Sequence, residues 1–96
     1  MNRTELLVFL TDHKEEFRLN YGVEKLALIG SFARDEASEE SDIDLMVEIR
    51  SRNKFRSYFG LLHFLEDTLH RKIDIAVDSA LKPLIRKNVL RDMIAI

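Results

Sequence analysis

Between Asp42 and Ile49 the chain alternates residue by residue, with Ile43, Leu45, Val47 and Ile49 on one side of an extended backbone and Asp42, Asp44, Met46 and Glu48 on the other. A period of two belongs to a strand that buries one face, so the chain must build a sheet and something to cover it. In this reading the second face is the one that offers carboxylates. Two more apolar runs supply partners. Lys25-Leu26-Ala27-Leu28-Ile29 ends at Gly30, the pattern of a buried strand entering a tight turn, and in Ile73-Asp74-Ile75-Ala76-Val77 the aspartate faces away from both isoleucines. Residues 5–19 place Leu6, Leu10 and Phe17 at helical spacing with Leu7 and Phe9 nearby; Asn2 and Glu5 are spaced for a capping box, and Gly22 for a stop. Phe55, Tyr58, Phe59, Leu62, Leu65, Glu66 and Leu69 mark a second long amphipathic helix, whose stripe from Phe55 to Leu62 is expected in the core. Pro83 suits the first turn of a last helix carrying Leu84, Ile85, Val89 and Leu90, with Asp78 as its expected cap. Met93 to Ile96 adds a short strand or packs down. The stretch Phe32 to Ser41 opens with a turn or two of helix and becomes a solvated connection bearing Glu36, Glu39 and Glu40. This order implies an α/β (α+β) fold, a small mixed β-sheet flanked by helices, with residues 1–96 as one domain.

Composition narrows the function classes. The chain is 46% hydrophobic and 33% charged with only 3 Gly and 1 Pro, which excludes a disordered segment. Its formal charge of -2 gives no broad attraction to nucleic acid, so direct nucleic-acid binding is not expected. With no cysteine there is neither a disulfide framework nor a thiolate metal site, which suits a cytoplasmic protein. Charged residues begin at Arg3 and Glu5, so neither a signal peptide nor a span of ~20 apolar residues is expected. His13, His63 and His70 lack close ligand spacing and read as helix surface rather than as a zinc site.

The chemistry gathers at two places. Asp42 and Asp44 fall on one strand face, ~6.5–7 Å apart at the Cα, close enough to converge on one pocket. Carboxylates are the hard oxygen ligands Mg²⁺ prefers, and the ion completes its octahedron with water and substrate phosphate. Asp74, on another strand and off the core face, is the natural third ligand. In a two-ion site the metals lie ~3.5–4 Å apart and clamp the attacking and leaving oxygens at phosphorus. The second place is Gly30-Ser31, where a strand ends and a short helix starts. Glycine lets backbone approach an anion, the helix start offers free N–H groups, and the Ser31 hydroxyl adds a donor, so polyphosphate is the expected guest.

The ordered set is more specific than its parts. Gly30 to Asp44 matches the G-S-x10-D-x-D signature of the DNA polymerase beta-like nucleotidyltransferases, and nearly the whole chain resembles their MNT (minimal nucleotidyltransferase) branch. Gly30-Ser31-Phe32-Ala33-Arg34 is similar to the branch's G-S-x-A-R start, Ser41-Asp42-Ile43-Asp44-Leu45 to its S-D-I-D-L strand, and Ala80-Leu81-Lys82-Pro83 to its closing segment. The resemblance implies a nucleotidyltransferase fold, Gly30, Ser31 and Arg34 as nucleotide-binding residues, and Asp42, Asp44 and Asp74 as catalytic metal ligands. It makes Asp74 the group that activates the attacking hydroxyl. Arg34 also has the plainer reading of an ion pair with Glu36 or Glu39. The position after Arg34 is often Gly in the branch and is Asp35 here, a departure that bears on loop geometry and phosphate repulsion. The resemblance further implies an antitoxin that uses ATP and Mg²⁺ to place AMP on a tyrosine hydroxyl of a HEPN-domain ribonuclease toxin, with homo- or hetero-oligomers in view. Larger relatives carry added substrate-holding domains, so the acceptor is expected to help build the site. Two other readings stand beside this one: a catalytically silent module that neutralises a toxin by complex formation, and a small-molecule nucleotidyltransferase of the kind that inactivates aminoglycosides.

Overall fold

The computed structural model describes residues 1–96. The chain opens with helix α1 (Arg3–Tyr21), whose start carries the expected reciprocal cap: the Glu5 N–H donates to the Asn2 side chain at 2.8 Å and the Asn2 N–H donates to the Glu5 carboxylate at 3.0 Å. Gly22 ends the helix at φ +69°, and its N–H donates to the Arg18 carbonyl. A Cβ there would sit 2.3 Å from the Arg50 backbone oxygen. Gly22→Ala is therefore expected to cost about 2 kcal/mol in backbone strain, lowering the unfolding midpoint by roughly 10 °C. Gly22 lies at the opposite end of the next strand from Gly30, so ligand binding measured well below that midpoint should remain as in wild type. An unchanged midpoint by calorimetry would show that this turn relaxes freely.

Strand β1 (Val23–Ile29) runs into a single-turn helix, α2 (Gly30–Ala33), and after an irregular stretch the alternating segment forms β2 (Ile43–Ile49). Helix α3 (Lys54–Leu69), strand β3 (Ile73–Val77), a 3-10 turn (Asp78–Ala80), helix α4 (Pro83–Asp92) and the short β4 (Ile94–Ala95) complete the fold. The sheet order is β3-β2-β1-β4, with β2 antiparallel to β1 and parallel to β3, and β4 antiparallel to β1. It is the small mixed sheet expected from the sequence. No helix is long and apolar enough to cross a membrane.

One face of the sheet presents Leu26, Leu28, Ile43, Leu45, Val47, Ile73 and Ile75 to Leu6, Leu10 and Phe17 of α1 and to Leu61 and Leu65 of α3. Full burial contributes about 1.5–3 kcal/mol for each such side chain. The second face departs from the simple alternation. Ala27, Ile29 and Met46 are buried there, under Leu81, Val89, Leu90 and Met93. The carboxylate-bearing face is thus half covered by α4, because Met46 and the β1 residues beside it make an apolar patch between the acidic ends of β2.

Two expectations about helices are corrected. The stripe from Phe55 to Leu62 is core only in part: Tyr58 and Leu62 pack against the core, but Phe55 is 73% and Phe59 39% exposed, while Leu61 and Leu65 are fully buried. At 100° per residue Phe59 lies nearly across the helix from Leu61, so both cannot face the sheet. Tyr58 sits between, half-buried, and its hydroxyl donates to the Ile75 carbonyl of β3 at 3.1 Å. Asp78 is not the cap of α4. The N-cap is Lys82, without a side-chain hydrogen bond, and Pro83 takes the first helical position. Asp78 is instead buried in the 3-10 turn, where Nε of Arg86 donates to its carboxylate at 2.6 Å and holds its pKa below the usual range.

Candidate active site

Strand register brings the two halves of the sequence motif together. Ile29, the last residue of β1, pairs with Asp44, and Asp44 pairs in parallel register with Asp74. Gly30 follows at φ +73°, so α2 begins directly against the start of β2. The approach is close: a Cβ on Gly30 would lie 2.2 Å from Oδ2 of Asp44. Only a residue without a side chain allows both the left-handed backbone and that contact. No side chain caps the start of α2, which leaves its leading N–H groups available to an anion.

Gly30, Arg34, Asp44 and Asp74 line a single open cleft of about 360 Å³. Its opposite wall is α4, which contributes Ile85, Asn88, Val89 and Asp92. Those four follow helical spacing of i, i+3, i+4 and i+7, a pattern present in the sequence but unassigned there because Asn88 and Asp92 carry no motif. Ser31 and Asp42 do not line the cleft. Ser31 lies within α2, with its carbonyl accepting from the Glu36 N–H at 2.9 Å. Asp42 stands just before β2 and meets Nζ of Lys72 at 3.6 Å.

Burial pushes the Asp44 carboxyl above the usual carboxylate range, and the charges of Asp74 and then Asp42 push it further; Arg34 and Lys72 offset part of this. Two carboxylates therefore bear electrostatically on a third. No three acidic or histidine side chains converge closely enough to hold an ion by themselves. The donor set nonetheless fits Mg²⁺, which takes one or two carboxylates with water and substrate phosphates, and it does not fit zinc, for which the cleft offers neither thiolate nor imidazole. Mutual repulsion around a half-buried carboxylate is what a divalent cation relieves.

The flanking residues answer two questions raised by the sequence. Arg34 borders the cleft and is paired at once, with Glu36 at 3.2 Å and Asp92 at 3.8 Å, so the local ion pair and the cleft position coexist. Asp35, where the resemblance favours Gly, has φ +60°, a conformation that aspartate tolerates better than most residues. Its exposed carboxylate meets Arg3 at 3.8 Å rather than the cleft. His13 is less superficial than its spacing implied: Nδ1 lies 2.8 Å from the Phe9 carbonyl, and the ring packs among Phe9, Phe17 and Phe64.

Residues 10–96 match the sequence profile of the nucleotidyltransferase domain. Among curated relatives, the protein adenylyltransferase MntA of Thermococcus cleftensis is 36% identical over 90 residues, covering 94% of this chain and 91% of that protein. A Methanocaldococcus jannaschii protein provisionally named protein adenylyltransferase MJ1379 is 37% identical over 94 residues, covering 95% of this chain and 94% of that one. A solved structure provisionally described as a minimal nucleotidyltransferase superposes with a TM-score of 0.85 at 29% identity, over 100% of this chain and 97% of the other. A toxin-antitoxin crystal structure with AMP-PNP shares the fold, with a TM-score of 0.69 at 18% identity over 99% of this chain and 72% of that chain.

Proposed function

The chain belongs to the nucleotidyltransferase domain family and is a transferase, and from that premise we propose that it moves AMP from ATP to a tyrosine hydroxyl of a HEPN-type ribonuclease toxin, acting as the toxin's cytoplasmic antitoxin. The observation that carries the proposal is the packing of the Gly30 turn against Asp44 with Asp74 beside it in register, which unites a phosphate-binding turn and a carboxylate pair in one cleft. The relatives named as protein adenylyltransferases favour AMP and a protein acceptor, and the toxin-antitoxin structure with AMP-PNP supports a toxin partner.

The roles follow from the chain's own groups. The Gly30-Ser31 turn binds phosphate oxygens through backbone N–H groups, and Arg34 adds a positive charge beside them. Asp44 and Asp74 would hold Mg²⁺ together with Asp42, which would exchange its Lys72 contact for the metal. When bound, the metal neutralises phosphate charge and polarises the α-phosphorus. Asp74, the exposed member on the edge strand, takes the proton of the incoming hydroxyl. The hydroxyl oxygen bonds to the α-phosphorus, the bond to the bridging oxygen breaks, and pyrophosphate leaves with the electron pair. Leu84 and Ile85, 74% and 49% exposed, give this side an apolar shoulder suited to a protein surface, and Ile85 also lines the cleft.

Incubation with α-labelled ATP, Mg²⁺ and the product of the adjacent gene tests the proposal. Label is expected on a tyrosine of that product. Asp42→Ala should keep the fold and reduce labelling by about a hundredfold or more. Undiminished transfer by the purified variant overturns the assignment.

A further inference from the structure

Beyond these residues, and resting on the reading just given, we propose that Arg71 is a positioning residue that locks the metal-binding segment onto the phosphate-binding turn. Arg71 stands just ahead of β3. Its Nη1 donates to the Ser38 carbonyl at 3.3 Å and to the Ser41 carbonyl at 3.0 Å, the latter immediately before Asp42. The same guanidinium lies 5.3 Å from the ring centroid of Phe32, a buried residue of α2 adjacent to Ser31. One side chain thus touches both halves of the motif. The backbone of its neighbour completes the clamp, since the Lys72 carbonyl accepts from the Ile43 N–H at 3.0 Å, a bond that stays in place when Asp42 leaves Lys72 for the metal.

The segment needs such a clamp because it has little structure of its own. Between α2 and β2 it is turn and coil, held internally by the Ser38 N–H donating to Oγ of Ser41 at 2.8 Å and by the Ser41 N–H donating to the Ser38 carbonyl at 3.2 Å. Asp44 is different, being fixed within β2 by pairing on both sides. Loss of the clamp therefore frees Asp42 without moving Asp44. Arginine is suited to this position because its planar, delocalised group donates in its plane while its face lies on an aromatic ring, and a lysine ammonium cannot do both.

Calorimetric titration with AMP-PNP in the presence of Mg²⁺, on the whole chain below its unfolding midpoint, reads the effect without an acceptor. Arg71→Met keeps an unbranched apolar stem but removes both the donors and the cation over Phe32; it is expected to bind about tenfold more weakly, with the deficit recovered by raising Mg²⁺ by a similar factor. Arg71→Lys is expected to be about threefold weaker. Hydrogen exchange should quicken at the amides of residues 38–42 and stay unchanged in β2. A side chain that only stabilises the fold would lower the unfolding midpoint and leave the affinity of folded protein as it was. Wild-type binding matched within about twofold by a folded Arg71→Met overturns the inference and leaves the function standing. If Arg71→Met does not fold, wild-type affinity in Arg71→Lys overturns it equally. No binding by wild type removes the proposed function, and this inference with it.

Discussion

Asp44→Asn is expected to stabilise the metal-free protein while reducing AMP transfer by about two to three orders of magnitude. The two effects have one cause. Asp44 is half-buried, and its carboxyl is raised above the usual range first by burial and then by Asp74 and Asp42. Raised in the folded state, the group binds its proton more tightly there than in the unfolded chain. The native state therefore loses stability relative to the unfolded as pH climbs from the unfolded value, near 3.8, through the higher folded one. Above that window the wild type carries the whole cost, and below it none. The amide has no charge to bury, so its advantage should be absent in acid and present at neutral pH. Mg²⁺ reverses the order, because an ion that binds only the folded state stabilises it by about 2.7 kcal/mol at a hundred times its dissociation constant. Unfolding midpoints with and without Mg²⁺, at neutral and acid pH, give the comparison. A neutral-pH midpoint in metal-free buffer no higher than wild type, or an equal Mg²⁺ shift in both proteins, would sink the account.

The parts of this fold that were legible in the sequence are those fixed by short-range periodicity or by one residue's backbone. The alternation of β2, the capping box at Asn2, the stop at Gly22 and Pro83 at the first turn of α4 all follow from local rules. The close approach of Gly30 to Asp44 was implied only by the resemblance, since a spacing of ten residues does not say which atoms meet. Features set by neighbours were not legible. Which flank of α3 is buried depends on where α1 and β3 lie, so Phe55 and Phe59 read as core and are instead exposed. Asp78 looked like a cap because it precedes Pro83, but the 3-10 turn carries it to Arg86 instead. Arg71 is silent in the sequence, for an arginine before a strand has no local signature; its value comes from carbonyls some thirty residues earlier in the chain. The far wall of the cleft was hidden likewise, because α4 reaches it only by folding back across Met46 and Ala27.

Gly30→Ala should reduce transfer by about a hundredfold, through Asp44 rather than through the turn alone. The left-handed backbone at φ +73° costs an alanine about 1–2 kcal/mol, an amount comparable to Gly22→Ala, so stability by itself does not distinguish the two sites. What the new methyl meets does. At Gly22 it faces the Arg50 backbone oxygen, whereas at Gly30 it falls 2.2 Å from Oδ2, 2.9 Å from Cγ and 3.0 Å from Cβ of Asp44. The carboxylate must swing away or β2 must retreat, and either movement separates the carboxylate pair from the Gly30-Ser31 turn. The Mg²⁺-dependent rise in midpoint should therefore vanish in Gly30→Ala and persist in Gly22→Ala. A double-mutant cycle isolates the contact. Asp44→Ala removes the two shortest contacts and leaves the one at 3.0 Å, so Gly30→Ala should cost less stability in that background than in wild type. The coupling is expected to exceed the ~0.3–0.5 kcal/mol within which independent sites add. Additive costs would mean that Asp44 is free to move aside, and the glycine would then serve the backbone conformation of the turn and not the placement of the carboxylate proposed to bind metal.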